Sequence, residues 1–125
     1  VWAAWNEQAF KAKKTPDALN KIYGTESLTD SDKILMQAPD IAENGAIVPI
    51  NVKTDIENVE SIMIFVENNP QPLSSGYNLS SKSKGVIGTR IKMGKTSKVI
   101  AAVKSNGKIY SASKEVKITI GGCGG

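Results

Sequence analysis

The sole cysteine of the chain, Cys123, has a glycine pair on each side, in the sequence Gly121-Gly122-Cys123-Gly124-Gly125. Glycine loses the most backbone entropy on ordering and offers no side chain for packing, so this segment is not expected to belong to a core. A thiol can form, exchange and release S–S bonds under mild conditions. The pattern predicts a flexible arm, residues 121–125, that presents a reactive thiol to another molecule.

Composition limits the other roles open to Cys123. One cysteine cannot form a disulfide within the chain, and one cysteine without any histidine cannot complete the four ligands of a zinc site. Histidine is also the usual general base near neutral pH, so its absence removes a self-contained cysteine–histidine catalytic pair. We therefore expect a chain without catalytic residues, metal or cofactor, whose thiol is acted on by catalytic groups of a partner.

Positive charge is concentrated in the last third of the chain. The net charge is +4, and Glu115 is the only acidic residue between positions 80 and 120, where the basic residues are Lys82, Lys84, Arg90, Lys92, Lys95, Lys98, Lys104, Lys108, Lys114 and Lys117. These lysines either cover exposed faces and strand edges, or create a field that attracts anionic substrates and acidic surfaces. Few aromatic residues lie among them, which argues against a nucleic-acid partner. No apolar run approaches the ~20 residues that cross a bilayer, so no membrane is expected.

The N-terminal segment, residues 1–28, is predicted to be helical. Trp2, Trp5 and Ala9 recur every three or four residues, as on one face of a helix. Thr15-Pro16 is typical of an N-cap followed by proline at the first helical position, and Gly24 is typical of a C-terminal cap. The pattern indicates two short helices.

Residues 29–120 are predicted to form strands. Apolar or alternating runs occupy residues 33–37, 46–53, 61–67, 76–79, 85–93, 98–104 and 108–119, and Asn106-Gly107 predicts a two-residue hairpin turn. Strands that follow one another without intervening helices favour an antiparallel β-sandwich of about seven strands.

One of these strands is apolar on both faces. Ile62, Ile64 and Val66 share one parity, whereas Met63 and Phe65 share the other. Such a strand is covered on both sides. Either the N-terminal helices cover the second face, or Met63 and Phe65 belong to a subunit interface.

Four segments of the chain match sequence motifs of one family. They are residues 39–50 (PDIAENGAIVPI), 66–73 (VENNPQPL), 89–97 (TRIKMGKTS) and 116–125 (VKITIGGCGG). In this order and with this terminal segment, the chain resembles the SoxY family, the cysteine-bearing subunit of the SoxYZ sulfur carrier. Residues 1 to about 30 match only loosely.

The resemblance implies an immunoglobulin-like sandwich in a periplasmic protein that forms a heterodimer with SoxZ. It implies that Cys123 holds sulfur from thiosulfate, which the cytochrome SoxAX attaches and the hydrolase SoxB cleaves. Where SoxCD is present, it oxidises the remaining sulfur. Gly121, Gly122, Gly124 and Gly125 correspond to the family's swinging arm. No other residue inherits a role in the chemistry, so the chain is expected to be a carrier and not an enzyme.

Two other functions remain open from the residues. Ubiquitin-like sulfur carriers also end in Gly-Gly, and that alternative would place the chemistry on the carboxylate of Gly125. It requires a β-grasp fold with a helix after the first hairpin, whereas the helical signal here is N-terminal. The second alternative is a non-carrier interaction domain that dimerises through Cys123. A carrier isolated from its partners is also expected to form a homodimer through a Cys123 disulfide.

Overall fold

Two short helices precede nine strands in the part of the chain that the structure describes. The structure is a computed structural model, and it describes residues 4–25, 27–79 and 85–119. The helices are α1 (Ala4–Lys11) and α2 (Thr15–Tyr23). The strands are β1 (Thr29–Asp30), β2 (Ile34–Gln37), β3 (Ile41–Ala42), β4 (Val48–Thr54), β5 (Val59–Val66), β6 (Leu73–Asn78), β7 (Val86–Ile91), β8 (Ser97–Ser105) and β9 (Lys108–Ile118).

The strands form two sheets, which confirms the predicted β-sandwich. The larger sheet has the order β1-β9-β8-β5-β6, with β3 also paired to β9, and the smaller sheet has the order β2-β4-β7. Seven strands are longer than two residues, in agreement with the predicted number. The two-residue strands β1 and β3, which the sequence did not predict, both pair with β9 in parallel. The chain leaves β9 after β1, contributes β2 to the other sheet, and returns as β3.

The main core lies between the two sheets. Val48, Ile50 and Val52 of β4 are fully buried, while Pro49 and Asn51 between them and Lys53 after them are exposed. This alternation follows from the two-residue period of a strand that has one face against the core. The buried β4 side chains belong to the same apolar cluster as the even-numbered residues of β5.

A second core lies on the other face of the larger sheet, beneath the helices. Met63 and Phe65 are 1% and 0% exposed, in one cluster with Ala9 of α1 and with Ala18 and Leu19 of α2. Helices of eight and nine residues are marginal in water alone, so this packing stabilises them. The prediction of a subunit interface at Met63 and Phe65 is therefore wrong, because the chain's own helices cover both side chains.

The helix cap at Gly24 and the turn at Asn106-Gly107 are found where the sequence predicted them, but the N-cap of α2 is displaced by one residue. The amide of Gly24, at φ = 72°, donates to the carbonyl of Asn20 and ends α2 as predicted. Asn106 and Gly107 have φ values of 50° and 79°, the positive pair that a type I′ hairpin turn requires. Thr15 is the first helical residue and not the N-cap, which is Lys14 in an extended conformation without a capping side chain. Among the described residues, no helix is long and apolar enough to span a membrane.

Candidate functional site

The predicted site residues lie just beyond the described part of the chain. Cys123 and the arm glycines Gly121, Gly122, Gly124 and Gly125 are outside the described residues, which end at Thr119. Cys123 is four positions after Thr119, so their Cα atoms can be at most about 14 Å apart. The geometry around Thr119 is therefore the described structure nearest to the predicted site.

On one side, the end of β9 is held by β3. The backbone amide of Lys117 donates to the carbonyl of Asp40 at 2.9 Å, and that of Thr119 donates to the carbonyl of Ala42 at 3.1 Å. Alternate amides of a strand point to the same edge, so both bonds lie on the edge that faces β3. This pairing continues to the last described residue of the chain.

On the other side, the Thr96 side chain provides a hydrogen-bond acceptor to β9 beyond the end of β8. The β8–β9 ladder closes with the pair Ser97–Val116. Two residues further along β9, the backbone amide of Ile118 donates to Oγ1 of Thr96 at 3.0 Å. The end of β9 is thus hydrogen-bonded along both edges, and the chain that leads to Cys123 starts from a rigid base.

A close backbone contact supports this base from beneath. The amide of Met93 donates to the carbonyl of Gly45 at 2.6 Å, and Met93 is buried in the main core. A Cβ atom on Gly45 would overlap the carbonyl oxygen of Met93. Glycine is therefore required at position 45 by the approach of two backbones and not by its own conformational freedom.

Two asparagines of the loop after β5 hold the segment that carries Thr96. The Asn69 side chain donates to the carbonyl of Lys92 at 2.7 Å and accepts from the amide of Gly94 at 3.0 Å. The Asn68 side chain donates to the carbonyl of Thr96 at 3.0 Å. The backbone on both sides of the turn is fixed by these bonds.

The four segments that carry the family resemblance meet at this end of the sandwich. They contribute residues 40–47, 66–72, 92–97 and 116–119, and we call these four stretches the arm anchor. The sequence predicted the arm but not the anchor. The sequence signal for the anchor was the presence of glycine and asparagine in its loops. Those residue types alone do not identify the backbone groups that they contact.

Exposed charges of both signs lie in and beside the anchor. Lys92, Lys95 and Lys117 are exposed, and none of them forms a salt bridge within the described residues. Lys114 lies 3.0 Å from Asp40, an exposed pair that contributes little to stability but neutralises its own charges. The exposed Glu43 and Glu115 offset part of the charge of these three lysines.

The residues of the described chain do not form a second candidate site of comparable definition. An open polar pocket is lined by Asp30, Ser31, Asp32 and residues 111–113, further back along β9. Within residues 4–25, 27–79 and 85–119, no group of three histidine, cysteine or acidic side chains is placed to hold a metal ion. The arm anchor is therefore the candidate site that we develop.

Comparisons with known proteins point to one family. The family model described as "Sulfur oxidation protein SoxY" matches residues 19–123. The sulfur carrier protein SoxY from Chlorobium limicola f. thiosulfatophilum is 37% identical, with 91% of this chain and 99% of that chain covered and a TM-score of 0.77. A chain from structural work on T cell activation by the bacterial superantigen toxic shock syndrome toxin-1 is 7% identical. The match covers 68% of this chain and 98% of that chain, with a TM-score of 0.48. No curated protein sequence matches significantly.

Proposed function

The chain belongs to the SoxY family, and from this premise we propose that its function as a sulfur carrier of thiosulfate oxidation resides in the thiol of Cys123. The observation that carries the proposal is the arm anchor. It holds β9 along both edges as far as Thr119, and the chain's only cysteine follows four residues later. A fixed base with a glycine-rich extension suits a group that must enter the active sites of other proteins.

The proposed chemistry at Cys123 begins with the formation of an S–S bond. The thiol and the outer sulfur of thiosulfate combine, one proton and two electrons leave, and the cytochrome SoxAX accepts the electrons. SoxB then adds water to the terminal sulfone, so that sulfate leaves and a persulfide stays on Cys123. Where SoxCD is present, it accepts six electrons from the outer persulfide sulfur, to which water supplies three oxygen atoms. A second hydrolysis then releases this sulfur as sulfate and restores the thiol.

In this scheme the chain is a carrier and not an enzyme. It contains no histidine, the residue most often used as a general base near neutral pH. The partners supply the catalytic groups and the electron acceptor, while the tether keeps each sulfur intermediate from diffusing away. Tethering also raises the effective concentration of the intermediate at each enzyme. The field of Lys92, Lys95 and Lys117 favours the approach of thiosulfate, a dianion.

Family membership also supports a periplasmic location and a heterodimer with SoxZ. The heterodimer must use a surface other than Met63 and Phe65, because the helices cover both residues. Leu35 and Val86 are 56% and 53% exposed. They pair with Lys53 from opposite sides in the smaller sheet, so its outer face keeps apolar surface available.

The fold argues against the ubiquitin-like alternative. Both helices precede the first strand, and the strands form two packed sheets, whereas a β-grasp domain needs a helix after its first hairpin. This difference in fold supports the proposal that the chemistry takes place on the thiol of Cys123 and not on the carboxylate of Gly125.

Replacement of the thiol tests the proposal directly. After incubation with thiosulfate and the cognate cytochrome, the wild-type complex with SoxZ should gain a mass adduct that a reductant removes. The Cys123→Ser complex should gain none and should not support thiosulfate-dependent cytochrome reduction. Wild-type complex alkylated at Cys123 is the matched control, since alkylation blocks the thiol without changing the sequence. Cytochrome reduction at the wild-type rate by the Cys123→Ser complex would refute the assignment.

A further inference from the structure

A hydroxyl group that lies outside β8 and β9 accepts a hydrogen bond from the end of β9. We propose that Thr96 is a positioning residue: its side chain holds the end of β9 and thereby fixes the origin and reach of the arm that carries Cys123. This inference rests on the proposed function of Cys123. It concerns described residues only, and the hydrogen bond on which it depends can be tested without any sulfur chemistry.

Thr96 supplies a hydrogen-bond acceptor that the sheet lacks. The last β8–β9 pair is Ser97–Val116, so no β8 carbonyl is paired opposite Ile118. Oγ1 of Thr96 accepts the Ile118 amide at 3.0 Å in its place. Without that hydroxyl, the end of β9 would be held on the β3 edge alone.

The Thr96 hydroxyl is itself placed by a network. The side chain of Asn68 donates to the Thr96 carbonyl, and the amide of Asn68 donates to Oγ of Ser97 at 2.9 Å. The carbonyl of Thr96 and the side chain of Ser97 are therefore held by the loop that follows β5. Because this acceptor is already held in place, little further conformational entropy is lost when it bonds to the Ile118 amide. The bond can therefore hold the end of β9 in one position.

In this proposal, the number of residues between the last held residue of β9 and Cys123 determines the reach of the thiol and its effective concentration at a partner's active site. With β9 held to Thr119, four residues lead to Cys123 and allow about 14 Å; with release back to Val116, seven residues allow about 24 Å. Effective concentration falls as roughly the −3/2 power of tether length, which for this change is about a twofold loss. A longer tether also loses the direction imposed by the last ordered residue.

The chain offers a matched control for loss of a threonine hydroxyl. Oγ1 of Thr54 accepts the backbone amide of Ile56 at 3.1 Å, and this bond is also partly buried. Thr54 ends β4, whereas the anchor adjoins the beginning of that strand at Val48. Thr54→Val therefore removes the same kind of bond at the other end of the sandwich.

Hydrogen exchange tests the bond itself. In the complex with SoxZ, Thr96→Val should raise the exchange rate of the Ile118 amide at least tenfold relative to wild type. Thr96→Ser, which keeps the hydroxyl, should restore protection, and Thr54→Val should leave Ile118 unchanged. Unchanged exchange at Ile118 in Thr96→Val would overturn the proposal.

An arm-shortening cycle tests the positioning role. Turnover of the loaded carrier by the hydrolase should fall about twofold in Thr96→Val, while alkylation of Cys123 by a small reagent keeps its rate. Deletion of Gly121 should reduce turnover strongly in the wild type but clearly less in Thr96→Val, because the released end of β9 replaces the missing length. Thr54→Val should show the wild-type response to the deletion.

Equal fractional losses on deletion of Gly121 in all three backgrounds would overturn the positioning role. A loss of turnover in Thr54→Val equal to that in Thr96→Val would do the same, since it would reflect general destabilisation. Failure of the proposed function gives a different result. In that case Cys123→Ser would keep turnover, while the exchange result at Ile118 would be unaffected.

Discussion

Truncation of Phe65 tests whether the helices belong to the stable core of this domain. The Phe65 side chain is fully buried in a cluster with Leu19 of α2, Leu73 of β6 and Ile100 of β8. Removal of a buried phenylalanine ring costs about 3–5 kcal/mol, from lost transfer free energy and the remaining cavity. This is a large part of the about 5–15 kcal/mol that stabilises a typical domain. For a chain of this length, Tm should fall by about 10–20 °C.

The measurement is thermal and urea unfolding of the isolated chain, with Cys123 alkylated to prevent disulfide formation. Leu35→Ala is the matched control, because Leu35 is a large apolar side chain that is 56% exposed. Its free energy of unfolding should change by less than about 1 kcal/mol. The Phe65→Ala protein should also lose helical circular dichroism before the sheets unfold, since the ring forms part of the surface on which the helices pack.

A contrary result would favour the alternative that Phe65 belongs to a subunit interface. If Phe65→Ala shifted Tm no more than Leu35→Ala does, but weakened pairing with SoxZ, the ring could not be buried beneath α1 and α2. The burial argument would then be refuted for this face of β5.

Four further predictions concern the anchor, the arm and the helix contact. Gly45→Ala should separate the backbones at residue 45 and Met93, lower Tm and speed exchange of the Met93 amide; unchanged exchange would show that the contact yields without cost. Gly122→Val should slow turnover by the hydrolase while a small alkylating reagent still labels the thiol normally, and equal effects on both would contradict threading of the arm. Air-exposed chain without partners should form a dimer on non-reducing gels that is absent with reductant and in Cys123→Ser; a dimer band that persists in the variant would exclude the arm. Burial raises the pKa of Tyr23 to about 12, so its stabilising contribution is complete below pH 10 and is lost as the pH rises towards 12; Tyr23→Phe should flatten that decline in pH-dependent unfolding, and an unchanged slope would contradict it.

Several elements of the fold could be predicted because their causes are local. Asn106-Gly107 forms its turn since asparagine and glycine tolerate the positive φ that the hairpin demands. Gly24 ends α2 for a similar reason. In β4, the alternation from Val48 to Val52 already states which face is buried. The isolation of Cys123 in a glycine-rich segment likewise needs no neighbours in space to suggest a presented thiol.

The second face of β5 shows what a local sequence pattern cannot predict, namely which element covers a buried face. Apolar residues on both faces of that strand predict that both are buried, but hydrophobic burial is non-directional and does not name the covering element. The assignment of Met63 and Phe65 to an interface was wrong because α1 and α2 pack there. The parallel strands β1 and β3 could not be predicted either, since two residues are too few to show a period.

The anchor depends wholly on contacts between distant parts of the chain. Oγ1 of Thr96 and the Ile118 amide are 22 positions apart, and the Ala42 carbonyl that holds Thr119 is farther still. A hydrogen bond requires its atoms within about 3 Å and in line, a condition that residue types alone do not state. The residues near Cys123 thus indicate what the thiol is for. The packing of two sheets brings these loops together and so establishes how the end of β9 is held, which no residue type near Cys123 states.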